Sequence, residues 1–252
     1  MAPGFLAVLS EPGNEVSLDE FHDWYDNEHI PLRLNHLPSF LSGARYQSID
    51  EIKPSWIAVY EIDDTKTFND RSYTVLREKR SQREEDVIGR LEVLDRRTCE
   101  VVREVGGEAN SSSRTTGLRV GNPSRWVVTH GVGRAGGTAT AAADDSAEDE
   151  EFKEVVKWSN EVVTNLENSS VGGWVKTRVL KVLESAKTGV KLGENSSNGE
   201  EQSYFIFHGK VFYIYYIFDY PWANCFFLYF YLGVFRIRLE GKCQLTYLPR
   251  NY

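Results

Sequence analysis

SLDEFHDWYDNEHIPL, Ser17–Leu32, is the stretch from which the rest of the chain can be ordered. At 100° per residue, Leu18, Phe21, Trp24, Tyr25 and Leu32 fall in one helical sector about 120° wide. Glu28 projects into the centre of that sector and His29 stands at its edge. Taking an unpaired carboxylate out of water is costly, so a buried acid finds a partner or shifts its pKa, and groups treated that way concentrate at working sites. The start of the helix is marked by Ser17 followed by Glu20, the spacing of a capping box, with Asp19 and Glu20 suited to the positive end of the helix dipole. Pro31 lacks the N–H that would bond back along the helix, which places a bend near His29.

Working outward, the chain repeats itself. A shift of 134 positions lays Leu18 on Phe152, Phe21 on Val155, Trp24 on Trp158, Leu32 on Leu166 and Phe40 on Trp174 without a gap. The first copy reads as strand 5–9, bent helix 18–37, strands 42–49 and 56–62, a second helix 68–89 and a closing strand 91–102. That order, β-α-β-β-α-β, is ferredoxin-like. The second copy offers strand 125–132, helix 151–166 and strands 174–183 and 204–208, and lacks the rest. The expected organisation is a module over 1–104, a Gly- and Ser-rich linker over 105–122, and an incomplete second module over 123–208 with a disordered insert at 133–150. A third polar loop is expected at 187–202. The fold class is α+β: tandem ferredoxin-like modules whose sheets pack as in a dimeric α/β-barrel, around a cavity suited to a small ligand. The sheets pair within the chain or with a second copy.

Residues 209–252 have a different character. Twelve of the twenty-two residues from Val211 to Leu232 are aromatic. Asp219, Pro221 and Asn224 interrupt the 211–235 stretch, which argues against a membrane anchor. Read as strands it would be an aggregation hazard unless covered, and the preferred reading is that the tail lies outside the repeat, as a translated intron or an altered frame beginning near Gly209 would.

Composition excludes several classes. The 252 residues carry a net charge of -8 with no basic cluster, which argues against a nucleic-acid partner. Cys99, Cys225 and Cys243 form neither a disulfide framework nor a metal motif. No secretory signal is read in MAPGFLAVLSEPG, the Asn-x-Ser triplets at Asn110, Asn168 and Asn195 are read as coincidence, and the expected compartment is the cytoplasm.

The run EFHDWYDNEHIPLRL, with LPSFLSGARY, SWIAVYEI and REKRSQREEDVIGRLEVLDRR, resembles the EthD-like branch of the dimeric α/β-barrel superfamily as it occurs in fungal proteins. The resemblance covers residues 4–102 well and 123–208 weakly. It implies sheet-to-sheet pairing and small-molecule binding or chemistry, among relatives that include cofactor-free monooxygenases, dehydratases and decarboxylases of aromatic or polyketide compounds, and haem proteins. A fold hosts many functions, so the site decides.

Glu28 and His29 are the candidate acid-base couple for enolisation, dehydration or decarboxylation of a phenolic or β-keto substrate. The bland alternative pairs Glu28 with Arg45 and lets His29 cap the broken turn. The second copy carries Val162 and Val163 at these positions, which confines any such site to the first module. Trp24, Tyr25, Tyr46, Tyr60 and His130 are candidates for lining the ligand cavity, with His208 beside them. His22, Asp26, His29 and Arg33 form a second stripe, read as a solvated polar face instead of a metal site. The charged helix LREKRSQREED is likewise read as solvated. A lone strand histidine, His130 or His208, is weak grounds for haem, so no cofactor and no metal are expected. A non-catalytic binding or dimerisation module is the rival reading.

Overall fold

The computed structural model describes residues 1–49, 53–106, 126–134, 145–168, 174–190, 203–210 and 228–237. Eight strands form one closed antiparallel barrel: β1 (Gly4–Glu11), β2 (Phe40–Ser48), β3 (Trp56–Ile62), β4 (Val93–Gly106), β5 (Trp126–Arg134), β6 (Trp174–Thr188), β7 (Tyr204–Lys210) and β8 (Leu228–Ile237), in the order β1-β3-β2-β8-β5-β7-β6-β4. Read in halves, the order is β4-β1-β3-β2 followed by β8-β5-β7-β6. Each half is the sheet of a ferredoxin-like unit with its last strand beside its first.

The strands are legible because both faces of each sheet are covered. β1, GFLAVLSE, is buried at every residue, the continuous pattern of a strand sandwiched between layers. Phe5, Ala7 and Leu9 point into the barrel with Ala44, Tyr46, Ile57, Val59, Cys99, Val127, Leu180, Phe205 and Phe207. Leu6 and Val8 face the opposite way, with Ala58, Tyr60 and Ile62, against Phe21, Trp24 and Tyr25 of the covering helix. Across the barrel axis the rings of Phe5 and Phe207 lie 5.4 Å apart and those of Tyr46 and Phe207 6.5 Å apart, so side chains fill this level of the interior.

The first helix runs through Pro31 to His36, over the span and with the irregularity near His29 that the sequence suggested, and the irregularity is a π turn. The rest of the helical layer departs from expectation at two places. α1 (Leu18–Trp24) runs through a π turn, Tyr25–His29, into α2 (Ile30–His36), with Pro31 in the first turn of α2. Within a plain helix the Pro31 ring would press on the carbonyl four residues back. The extra residue of the π turn, closed by the Ile30 N–H on the Tyr25 carbonyl, relieves it. The predicted helix 68–89 is instead a 3₁₀ turn (Thr65–Asn69) followed by α3 (Arg71–Glu78) and α4 (Gln82–Arg90), each opened by its own cap, Asp70 and Ser81. α5 (Asp145–Asn168) starts six residues before the predicted 151, so part of the 133–150 insert is helix. β6 also extends into the predicted 187–202 loop.

The closing strand that the second copy lacked by sequence is β8, inside the aromatic tail. It pairs with β5 from Trp126↔Arg236 to Arg134↔Leu228 and with β2 from Tyr46↔Ile237 to Ser48↔Phe235. At the other seam β4 and β6 pair from Leu94↔Thr188 to Gly106↔Lys176. The remainder of the linker, insert and tail lies outside the described residues. Among the described residues no helix is long and apolar enough to cross a membrane.

Both seams close within one chain, so each sheet finds its partner without a second copy. The protein is therefore expected to be monomeric in light scattering at micromolar concentration. A concentration-independent dimer would contradict the intrachain closure.

Candidate functional site

The π turn decides which side chains reach the interior. One extra residue sets everything after it back by about 100°. Glu28, placed by helical periodicity at the centre of the apolar face, is half-buried at its margin, where it accepts a short hydrogen bond from the Ser81 hydroxyl and lies 3.9 Å from Arg83. His29 takes the central position and is buried, as are Ile30 and Arg33. Leu18, assigned to the same face, is 53% exposed. The stripe read as solvated, His22, Asp26, His29 and Arg33, is turned toward the protein: Asp26 pairs with Arg45 at 2.9 Å, and His29 and Arg33 meet α4. Arg45 is thus the partner of Asp26, not of Glu28.

His29 Nδ1 lies 2.8 Å from Glu84 Oε1. Glu84 is 2% exposed although it belongs to the helix read as wholly solvated. Ser81 caps α4 by accepting from the Glu84 N–H, which sets the phase that sends Glu84, Val87 and Leu91 inward. Burial, then the charge of Arg33, pushes His29 down to about 4, against the pull of Glu84. Burial would raise the Glu84 carboxyl, yet the hydrogen bond from His29 and the nearby positive charge, that of Arg33 and Arg80 included, hold it below the usual carboxylate range. At pH 7 the pair is therefore a neutral imidazole on an ionised carboxylate. That arrangement assigns the proton to Nδ1, which donates to Glu84, and leaves Nε2 with its lone pair.

Around this pair the layer between helix and sheet holds polar atoms that no described group satisfies: Trp24 Nε1, the Tyr60 hydroxyl, and Nε and Nη1 of Arg45. The hydroxyls of Tyr25 and Ser10 are buried beside each other. Buried polar groups are normally paired, so a cluster of unpaired donors marks a place for a polar ligand or water. The Trp24 and Tyr25 rings lie 4.5 and 5.0 Å from the His29 ring, and Arg45 sits 4.8 Å over Tyr25. Burial raises the Tyr60 phenol, keeping it a proton donor. Its ring lies against the backbone at Gly43, where a Cβ would meet it at 2.8 Å.

The residues expected to share one cavity are divided among three layers. Trp24, Tyr25, His29 and Tyr60 meet on the helix side of the first sheet. Tyr46 points into the barrel, in contact with Phe207. His130 lies on the helix side of the second sheet, 5.2 Å from Trp158 and 5.1 Å from His208, and burial pushes it down to about 3. His208 there bonds Thr177, which accepts from Trp174 Nε1. Strand alternation separates Tyr46 from Tyr60, and the two sheets separate both from His130. Among the described residues no three His, Cys, Asp or Glu side chains are grouped to hold a metal ion.

Sequence reasoning missed Glu84 and the inward placement of Arg33. The available signal was the spacing of Ser81, Glu84, Val87 and Leu91, a cap followed by an inward stripe at i+3, i+6 and i+10.

No protein-family model matches the chain, and no curated protein matches it. Solved structures do. An anthrone oxidase-like protein superposes with a TM-score of 0.52 at 10% identity, over 94% of this chain and 91% of that one. A provisionally assigned chlorite dismutase gives 0.49 at 11%, over 94% and 96%. A haem-binding protein from Thermus thermophilus gives 0.46 at 11%, over 94% and 91%. These neighbours are dimeric α/β-barrel proteins. With the strand order described above, the first of them establishes that this chain has that fold.

Proposed function

We infer that the chain belongs to the fungal EthD-like branch of that fold, binds a small aromatic or polyketide-type metabolite between α1–α2 and the first sheet, and transfers a proton there without a cofactor. The observation that carries this is the buried His29–Glu84 bond of 2.8 Å lying among unpaired donors. A base oriented through one nitrogen by a carboxylate, with the other nitrogen open, is the arrangement by which a histidine accepts a proton in catalysis. When a C–H bond beside a carbonyl breaks, the proton passes to Nε2 and the electron pair moves onto the carbonyl oxygen. Tyr60 donates a hydrogen bond to that oxygen as charge develops, and Glu84 stabilises the imidazolium. In dehydration the imidazolium then returns its proton to the departing hydroxyl, releasing water. Loss of carbon dioxide from a β-keto acid leaves the same kind of enolate, which takes up a proton at carbon, and oxygenation of the enolate or phenolate uses dioxygen as the oxidant. A base held near pKa 4 is modest, so the pair suits protons already acidified by an aromatic ring or a second carbonyl.

Glu84→Gln is expected to slow deuterium exchange into hydroxyaryl ketones and β-diketones by about 10²–10⁴-fold, the usual worth of a positioned base. Glu28→Gln, which touches only the margin of the site, is expected to change it less than about threefold and the stability by under about 1 kcal/mol. If the two variants are equally active, or if a co-purified ligand identified by mass spectrometry binds with unaltered affinity and no proton exchanges, the chain is a binding module.

A further inference from the structure

Arg33 is the third member of the buried group, and its geometry gives it a distinct task. Its Nη1 donates to the backbone carbonyl of His29 at 2.8 Å, and its Nη2 lies 3.7 Å from the same Glu84 Oε1 that meets His29 Nδ1. The side chain is nine-tenths buried. One guanidinium thus joins the main chain at the end of the π turn to the carboxylate on α4. The π turn is what brings it there, since α2 is rephased so that residues 29 and 33 both face inward.

The electrostatic consequence follows from a competition. A buried carboxylate beside an imidazole draws a second proton onto the ring, and an imidazolium has no lone pair left to act as a base. A cation sharing that carboxylate opposes this. The charged and titratable groups around His29 are Glu84 from α4, Arg33 from α2, Tyr25 from the π turn and Arg80 from the α3–α4 connection. Glu84 alone favours the charged ring, burial opposes it most, and among the neighbouring charges Arg33 is the largest opponent.

We propose that Arg33 is the positioning residue of the pair: by bridging the His29 backbone and the Glu84 carboxylate, it holds the carboxylate against Nδ1 and opposes a second proton on the ring. The inference rests on the reading of His29 as a base, but its test reads the imidazole directly and needs no substrate. Long-range proton–nitrogen NMR spectra of histidine-labelled protein resolve the five histidines, with His29 assigned by its loss in His29→Asn. In the wild type at pH 7 the expected state is Nδ1–H with Nε2 unprotonated. Arg33→Met is expected to raise the His29 titration midpoint by about one pH unit or more, and Arg33→Lys, which keeps the charge, to hold it near the wild-type value. A role confined to packing would leave the midpoint where it is, and an unmoved midpoint in Arg33→Met overturns the proposal. Should Arg33→Met not fold, the wild type and Arg33→Lys decide, because an Nε2–H tautomer or an imidazolium at pH 7 in either one overturns it. If the imidazole behaves as expected while Glu84→Gln leaves proton exchange intact, the functional reading fails and the role of Arg33 stands.

Discussion

Lowering the pH from 7 to 5 is expected to destabilise the protein steeply, before its carboxylates begin to titrate. His29 and His130 are buried and pushed down to about 4 and about 3, whereas both titrate near 6.5 once the chain unfolds. Each therefore contributes stability that is fully present above pH 6.5 and lost as the pH falls toward the folded value, because the unfolded chain binds the proton first. Between pH 6 and 5 the unfolded state takes up as many as two more protons than the folded state, a slope of up to about 2.7 kcal/mol per pH unit. Against a typical stability of about 5–15 kcal/mol that loss is large. The carboxyls held low by partners, such as Glu84 and Glu104, act in the same direction only at more acid pH. Urea unfolding at pH 7, 6 and 5 reads the slope, and His130→Leu is expected to roughly halve it. Equal stability at pH 7 and pH 5 would mean that the imidazoles are not held neutral in the folded state.

The second large effect is expected at the barrel axis. Phe207 belongs to the second sheet, yet its ring packs on Phe5 and Tyr46 of the first. Phe207→Ala removes a side chain buried to 2% exposure and is expected to cost about 3–5 kcal/mol, the range for emptying a large aromatic site. Because the ring touches both halves, the loss is expected in one cooperative transition reported alike by probes in either half. Leu18→Ala, half-exposed at the start of α1, is the control and is expected to change stability by less than about 0.5 kcal/mol. If the two substitutions cost the same, the sheets do not share a core.

Much of the fold was legible because it rests on local rules. Trp56–Ile62 is a strand to the residue, and Ser17 does accept from the Glu20 N–H. What local rules could not reach was contact at a distance. Glu84 sits in a run of charges, and only its meeting with His29, fifty-five positions earlier, gives a reason to bury it. β8 lies in text that repeats nothing, and its place is set by the vacant edge beside β5 rather than by its own pattern. The position of Glu28 was misread for a sharper reason: a constant 100° per residue holds only while every turn has the same number of residues, and one turn does not.

That turn has a consequence for how the protein can change. The helix over the first sheet is read in two frames, one before Tyr25 and one after His29, and a single residue separates them. Deleting Asn27 would let the helix run on without the π turn while His29 and Arg33 kept their inward places, whereas winding the full-length segment as a plain α-helix would turn them toward the margin. In the second unit, α5 covers its sheet as one uninterrupted helix with Val163 buried where His29 stands. What separates a helix that only packs from one that presents a base to the interior is, in this chain, the winding of one turn and a histidine.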